Sequence, residues 1–372
     1  MKINTIILKN MCSKLINALD IDASSTLSES VELKVEDKVL SISVASDDYT
    51  VSTTEKIDND EHFRAVVEAD VFLKLISQIT TEQVEFSIDG TTLVVKGNGE
   101  YKFAIIYEGD DIIDFPDLSI QNETASFSIS SDTLSSIVNY NSRELNKTTA
   151  VSPTQKMYYI DNKGCITFTT GACVNNFTLP EDVSFLLNKK IVKLFKLFGG
   201  SDNIKMSFGS DTISDIEIHK LTLKDDVTEV VSIINTDSDM IDNVPKDLIR
   251  EMSSKDYTYS VNLNKQELLG IINRLGLFMS NNAYTQHYAY FEFGSKEVTI
   301  IDKNRHNTET LKYDGSELSI TKPETVVLDL YDIKSALDGI KKDIFSISFG
   351  DHKAVVFKHS NISNIIPECE IQ

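Results

Sequence analysis

A chain of 372 residues is too long for one ordinary core, so its length predicts two or three domains. An apolar content of 41% with 25% charged residues is that of a folded protein, and no apolar run approaches the ~18 residues that a membrane span needs. The net charge of −21 argues against a surface coated with nucleic-acid-binding cations, although it does not say where the charges sit.

The opening "MKINTIILKN" is apolar for only a few residues and lacks a small-residue cleavage site. It reads as a strand entering a helix, not as a signal peptide. Leu8, Met11, Cys12, Leu15, Ile16 and Leu19 then recur at spacings of three and four, the period of an amphipathic helix. The stretch "VELKVEDKVLSISVASDDYTVSTTEKI" alternates apolar and polar residues, which predicts antiparallel strands with a tight turn at "VEDK". Val71, Phe72, Leu75, Ile76 and Ile79 mark a second helix, followed by "VEFSIDGTTLVVKGNGEYKFAIIYE" as further strands, with Val84, Phe86 and Ile88 packed under that helix.

The same order returns twice. Leu134, Ile137 and Val138, then Ile191, Val192, Leu194, Phe195 and Phe198, give two more helices, and "IKMSFGS" echoes "VEFSIDG". Leu268, Ile271, Ile272 and Leu275, then Ile333, Ala336, Leu337 and Ile340, give the last pair, with "FSISFGD" as the third echo. Taking Leu8, Leu134 and Leu268 as equivalent gives offsets of 126 and 134; Val84, Ile204 and Phe345 give 120 and 141. The totals, 260 and 261, agree, so two independent features measure one repeat. Each half-unit is a strand, a helix and three antiparallel strands, and the chain carries six. The junctions are "EGDDIIDFPDLSIQNE" near residue 120 and "NTDSDMIDNVPKDLIREMSSKD" near 245; the second also predicts a short helix from Lys246 to Met252.

The residues for catalysis are missing. There is no GxxxxGK[ST] loop, GxSxG or HExxH, and the six histidines show no ligand spacing and read as surface residues. Pairs such as Asp110-Asp111 and Asp225-Asp226 read as solvated loops. Cys12, Cys165, Cys173 and Cys369 form no CxxC pair, which fits small buried residues in a reducing cytoplasm. No enzyme and no cofactor is expected.

Three copies of a two-helix, multi-strand unit resemble the DNA sliding clamps of the bacterial type, the beta subunit of DNA polymerase III. "VEADVFLKLISQI" through "DFPDL" resembles the second helix, hairpin and exit of that family's first domain. "LNKKIVKLFKLFGGSDNIKMSFGSDTI" resembles the second half of its second domain, and "FTTGACV" stands where the family has a Thr-Asp-Gly-His-Arg-Leu run. Low overall identity is what a divergent, phage-encoded member would show.

The resemblance implies an α+β fold of three tandem DNA-clamp domains, residues 1–121, 122–250 and 251–372, each with two helices on antiparallel sheets and together half of a closed ring. It implies a processivity factor of the cytoplasm (the host's, if phage-encoded) that performs no chemistry. Its partners would be double-stranded DNA, read without sequence preference, a second copy of itself as a head-to-tail homodimer, a replicative DNA polymerase and an ATP-dependent clamp loader, with no membrane. The expected inner helices, taken as 9–20, 68–79, 132–145, 186–198, 265–279 and 329–342, carry +1, −1, −1, +4, +1 and 0; that net +4 leaves −25 for the rest. The cations expected to face DNA are Lys9, Lys14, Arg143, Lys189, Lys190, Lys193, Lys196, Lys265, Arg274 and Lys334, and Tyr158 and Tyr159 match the family's paired tyrosines. Ile160, Thr169, Gly171, Ala172, Cys173, Val174, Ile365, Ile366 and Pro367 match a pocket for partner peptides, with Ala172 and Cys173 replacing a His-Arg pair. Phe103 and Ile105, facing Phe278 and Met279, match the subunit interface. Two other readings remain open at this point: a β-rich phage structural or assembly protein, and a clamp-like decoy for clamp-binding peptides.

Overall fold

The computed structural model describes residues 1–20, 25–58, 62–146, 152–213, 216–278, 287–350 and 353–370. Its contacts divide the chain into two compact units, Met1–Ser135 with Lys190–Asn235, and Ser136–Lys189 with Thr236–Gln372. Each unit contains one eight-stranded and one four-stranded antiparallel sheet.

The helices fall where the periodicity puts them, with ends set by caps. The first is Thr5–Ile16, a turn earlier than the apolar pattern alone suggests, because the Asn4 side chain accepts from the Ile6 and Ile7 N–H groups. Asn264 does the same for Lys265–Gly276, through Gln266 and Glu267. These caps, each worth ~1 kcal/mol, are 260 residues apart and so keep the helix-derived repeat length. Asp329 caps Leu330–Gly339 in the same way. Ala69–Gln78 buries Phe72, Leu73 and Ile76, whereas Val71 is exposed, as are Ile16 in the first helix and Ile88 in the strand after the second. The second repeat departs from regularity. Its first helix runs Ser131–Ser136, a π-helical Ile137–Asn141 and Ser142–Leu145; its second passes from Lys189–Leu194 into a 3₁₀ turn, Phe195–Phe198.

Every strand that leads into one of these helices joins the sheet of the other half of its repeat. Lys2–Asn4 enters the first helix but pairs with Gln83–Asp89; Phe63–Glu68 enters the second but pairs with Ser30–Glu36. The half-units therefore interlock, which the linear pattern did not reveal. The turn at "VEDK" carries positive φ at Asp37 and Lys38, as a two-residue hairpin of right-handed twist requires.

The sheet edges follow a rule. In the first unit, Thr228–Ile233, the last strand of the second repeat, pairs with Tyr49–Lys56, which ends the first half of the first repeat. In the second unit, Ile362–Pro367, the last strand of the third repeat, pairs with Ala172–Asn176, which ends the first half of the second. Each junction turns two four-stranded sheets into one of eight. The strands in the corresponding positions at the ends of the two four-stranded sheets, Glu100–Ala104, which ends the first repeat, and Thr308–Lys312, which ends the first half of the third, have no such neighbour among the described residues.

The third repeat has the most fully described core. Both of its helices and both sheets contribute, with Leu268, Ile333 and Leu337 meeting Phe291, Phe345 and Ile366, and Phe293 stacked on Phe349 at 3.9 Å. Burial of this much aromatic and aliphatic surface, at about 25 cal/mol per Å², is what holds helices and sheets together. Cys12, Cys165 and Cys173 are buried and Cys369 partly so; all four are free thiols. One histidine contradicts the surface reading: His359 is buried, with its ring edge-on to Tyr140 at 5.4 Å, and His352 lies outside the described residues. Among the described residues, no helix is long and apolar enough to cross a membrane.

Candidate functional site

The sheet junction in the second unit creates a cavity of about 230 Å³. Its geometry follows from register. Ala172 pairs with Ile365, and Ala354 with Pro367, so two small residues stand beside two larger ones and leave room. The Thr169–Gly171 turn, closed by the Thr169 N–H donating to the Gly171 carbonyl at 2.9 Å, forms one rim. The expected short helix, observed as Lys246–Ser254, forms another, with Ile249 and Met252 three residues apart on the face toward the cavity.

That helix is fastened to the sheet. Arg250 donates to Asp161 at 2.6 Å, and Asp161 also accepts from the Tyr159 hydroxyl at 3.0 Å. Lys246 and Arg250 stand over the Tyr159 ring, 5.6 and 5.9 Å from its centre. The walls are mainly apolar, and Lys353 is the one charged residue lining the cavity among the described residues. An apolar cleft with a few polar groups at the rim suits a short peptide with hydrophobic anchors.

The cavity brings together five of the nine residues expected there: Thr169, Gly171, Ala172, Ile365 and Pro367. Val174 lies in the apolar cluster beneath them. Ile160, Cys173 and Ile366 are buried and do not line it. Strand alternation is the reason: Ile366 points away from Ile365 into the core of the third repeat. Phe168, Thr170, Pro245, Ile249, Met252, Lys353 and Ala354 also line the cavity and escaped the sequence reading. The apolar pair at helical spacing in "LIREM" was the available signal.

The expected DNA-facing residues divide. Lys189, Lys193, Lys196 and Lys334 are exposed; Lys189 donates to Asn146 and Lys334 to Asn273, neither an ion pair. Lys190 meets Asp20 at 2.8 Å, and Lys14 donates to Thr228 at 2.6 Å beside Asp225. Arg274 is held by Glu309, whose carboxylate raises its pKa further, and Arg143 lies 3.8 Å from Asp338. Lys265 donates to the Ile340 carbonyl, and Lys9 is half-buried. The tyrosines correct the expectation. Tyr158 is fully buried, its hydroxyl donating to Ser142 at 2.8 Å and its pKa pushed up to about 12 by burial; Tyr159 lies under the short helix. Neither ring is presented for stacking on a base.

Of the residues expected at a subunit interface, Phe278 is 60% exposed and follows Leu277, itself 80% exposed. Phe103 packs edge-on against Phe72, with centres 5.6 Å apart, and Ile105 is buried in its own domain; Met279 lies outside the described residues.

The same fold exists in solved structures. The chain superposes over its whole length on DNA polymerase III subunit beta from Pseudomonas aeruginosa, with a TM-score of 0.79 at 12% identity and all of that chain covered. The beta subunit of Thermotoga maritima gives 0.76 at 15%, covering 100% of this chain and 99% of that one. The Helicobacter pylori beta clamp bound to a DNA ligase peptide gives 0.74 at 16%, with 100% and 99% covered. The fold is that of the bacterial sliding clamps. No protein-family model matches the sequence, and no curated protein does.

Proposed function

We propose that this protein is a DNA polymerase processivity factor: two copies join head to tail as a ring around duplex DNA and tether a replicative polymerase. Each copy contributes three domains, 1–121, 122–250 and 251–372. The observation that carries this reading is the rule of the sheet edges. At both junctions, the last strand of one repeat pairs with the strand that ends the first half of the repeat before it. Applied once more, the rule joins Glu100–Ala104 of one copy to Thr308–Lys312 of another. Two copies then pair both of these strands in each copy, a head-to-tail contact that closes on itself.

The remaining features fit. Lys189, Lys193 and Lys196 supply sequence-independent phosphate attraction to an otherwise acidic chain, and a ring needs little of it, because topology keeps it on DNA. The cavity takes a partner peptide, as the Helicobacter pylori clamp takes a ligase peptide. An ATP-dependent loader would open the ring, and the protein itself would perform no chemistry.

The test has two parts. Light scattering should give a mass near twice 41.6 kDa. After loading, the protein should stay on circular duplex DNA and run off linear DNA. Equal loss from both would reject the ring. Filaments or larger assemblies would favour a structural protein, and peptide binding without support of primer extension would favour a decoy.

A further inference from the structure

The Thr169–Gly171 rim of the cavity is held from behind by one helix. Asn141, fully buried in the π-helical turn, donates through Nδ2 to the carbonyls of Cys165 at 3.3 Å and Cys173 at 3.2 Å, on the two strands that lead into and out of the rim. The Thr167 hydroxyl donates back to the Asn141 carbonyl at 3.0 Å. One helical turn on, Glu144 is 7% exposed, and its carboxylate accepts from the Thr169 hydroxyl. The carbonyl of Thr169 accepts from Gln155 Nε2 at 3.2 Å. A helix thus grips both roots of the turn and its first residue, and that residue lines the cavity.

A buried polar side chain is costly unless it is hydrogen-bonded. Here the Thr169 hydroxyl donates to Glu144, as a buried carboxyl group requires. We propose that Glu144 is a positioning residue of the peptide cavity: it fixes Thr169, and through it the 169–171 turn, in the place a bound peptide requires. The inference rests on the cavity being a peptide site and adds the residue that shapes it without touching the ligand.

Hydrogen exchange on the intact protein tests the positioning directly. Glu144→Ala and Thr169→Val should speed exchange in 168–172 about fivefold to tenfold, the effect of one lost hydrogen bond. Glu144→Gln and Thr169→Ser keep an acceptor or a donor and should stay near the original rate. Exchange in the 288–302 strands should not change. Titration with the ligase peptide of the Helicobacter pylori complex should show affinity falling by a similar factor in Glu144→Ala, at unchanged molar mass. If the original protein does not bind that peptide, the assignment of the cavity to it fails, while exchange still decides the role of Glu144. Unchanged exchange, or faster exchange spread to 288–302, overturns the proposal.

Discussion

The strands Ala172–Asn176 and Thr308–Lys312 occupy the same position in consecutive repeats, yet one lies inside a sheet and the other ends one. The enclosed strand buries Ala172, Cys173, Val174 and Asn175 in succession. The edge strand buries only Leu311 and carries Glu309 and Lys312, with Glu309 gripped by Arg274. Their sheets also share a face: Tyr159 pairs with Ile166 and Leu186, just as Tyr290 pairs with Ile301 and Val327. In the second repeat that face is covered by the Lys246–Ser254 helix, and a cavity remains beside it. In the third, Lys303 and Arg305 lie over Tyr288 and Tyr290 instead, at 5.1 and 4.2 Å. One sheet design is thus covered in two different ways. Charges on the edge strand discourage indiscriminate pairing, so it should accept only a matched mate.

The sharpest way to break this comparison is at the open edge. Phe278 is 60% exposed in the single chain, so Phe278→Asp removes little from the fold while placing a charge in the proposed interface. Light scattering should then report 41.6 kDa in place of twice that mass. An unshifted dimer would reject the assignment.

The enclosed junction can be probed by two neighbours on one strand. Ile366 belongs to the third repeat's core, and Ile366→Ala should cost about 2–5 kcal/mol of stability in denaturant unfolding, with peptide affinity preserved. Ile365 already borders a void, so Ile365→Ala should cost less stability and weaken peptide binding severalfold. The opposite pattern would mean that the cavity is not the peptide site.

These neighbours also mark what the sequence could and could not reveal. Periodicity located all six main helices and the extra one at 246, because buried faces repeat at three and four residues. Alternation located the strands. Side-chain direction at a strand end was less legible: Ile365 and Ile366 are equally apolar, and only their pairing with Ala172 and Val355 separates them. The interlocking of half-units was hidden because strand pairing is set across tens of residues. The tyrosines misled for a related reason. "MYYI" offers no polar interruption, and both rings are buried because the strand is covered on both faces, one by the helix bearing Ser142 and the other by that bearing Arg250.

The smallest expected effect concerns the buried histidine of the enclosed sheet. His359 ends a strand in the enclosed sheet, and burial, with lesser contributions from Lys342 and Lys265, lowers its pKa from 6.5 to about 4. Below pH 6.5 the unfolded chain takes up a proton that the folded chain refuses, so stability declines as pH falls from 6.5 towards 4 and the loss is complete below 4. Allowing for partial solvation, the contribution is of the order of 2 kcal/mol. His359→Gln should flatten the dependence of unfolding free energy on pH between 6.5 and 4, measured by denaturant unfolding across that range. If His359→Gln leaves the slope unchanged, the imidazole accepts its proton inside the folded sheet, and the enclosed junction is more open to water than its burial implies.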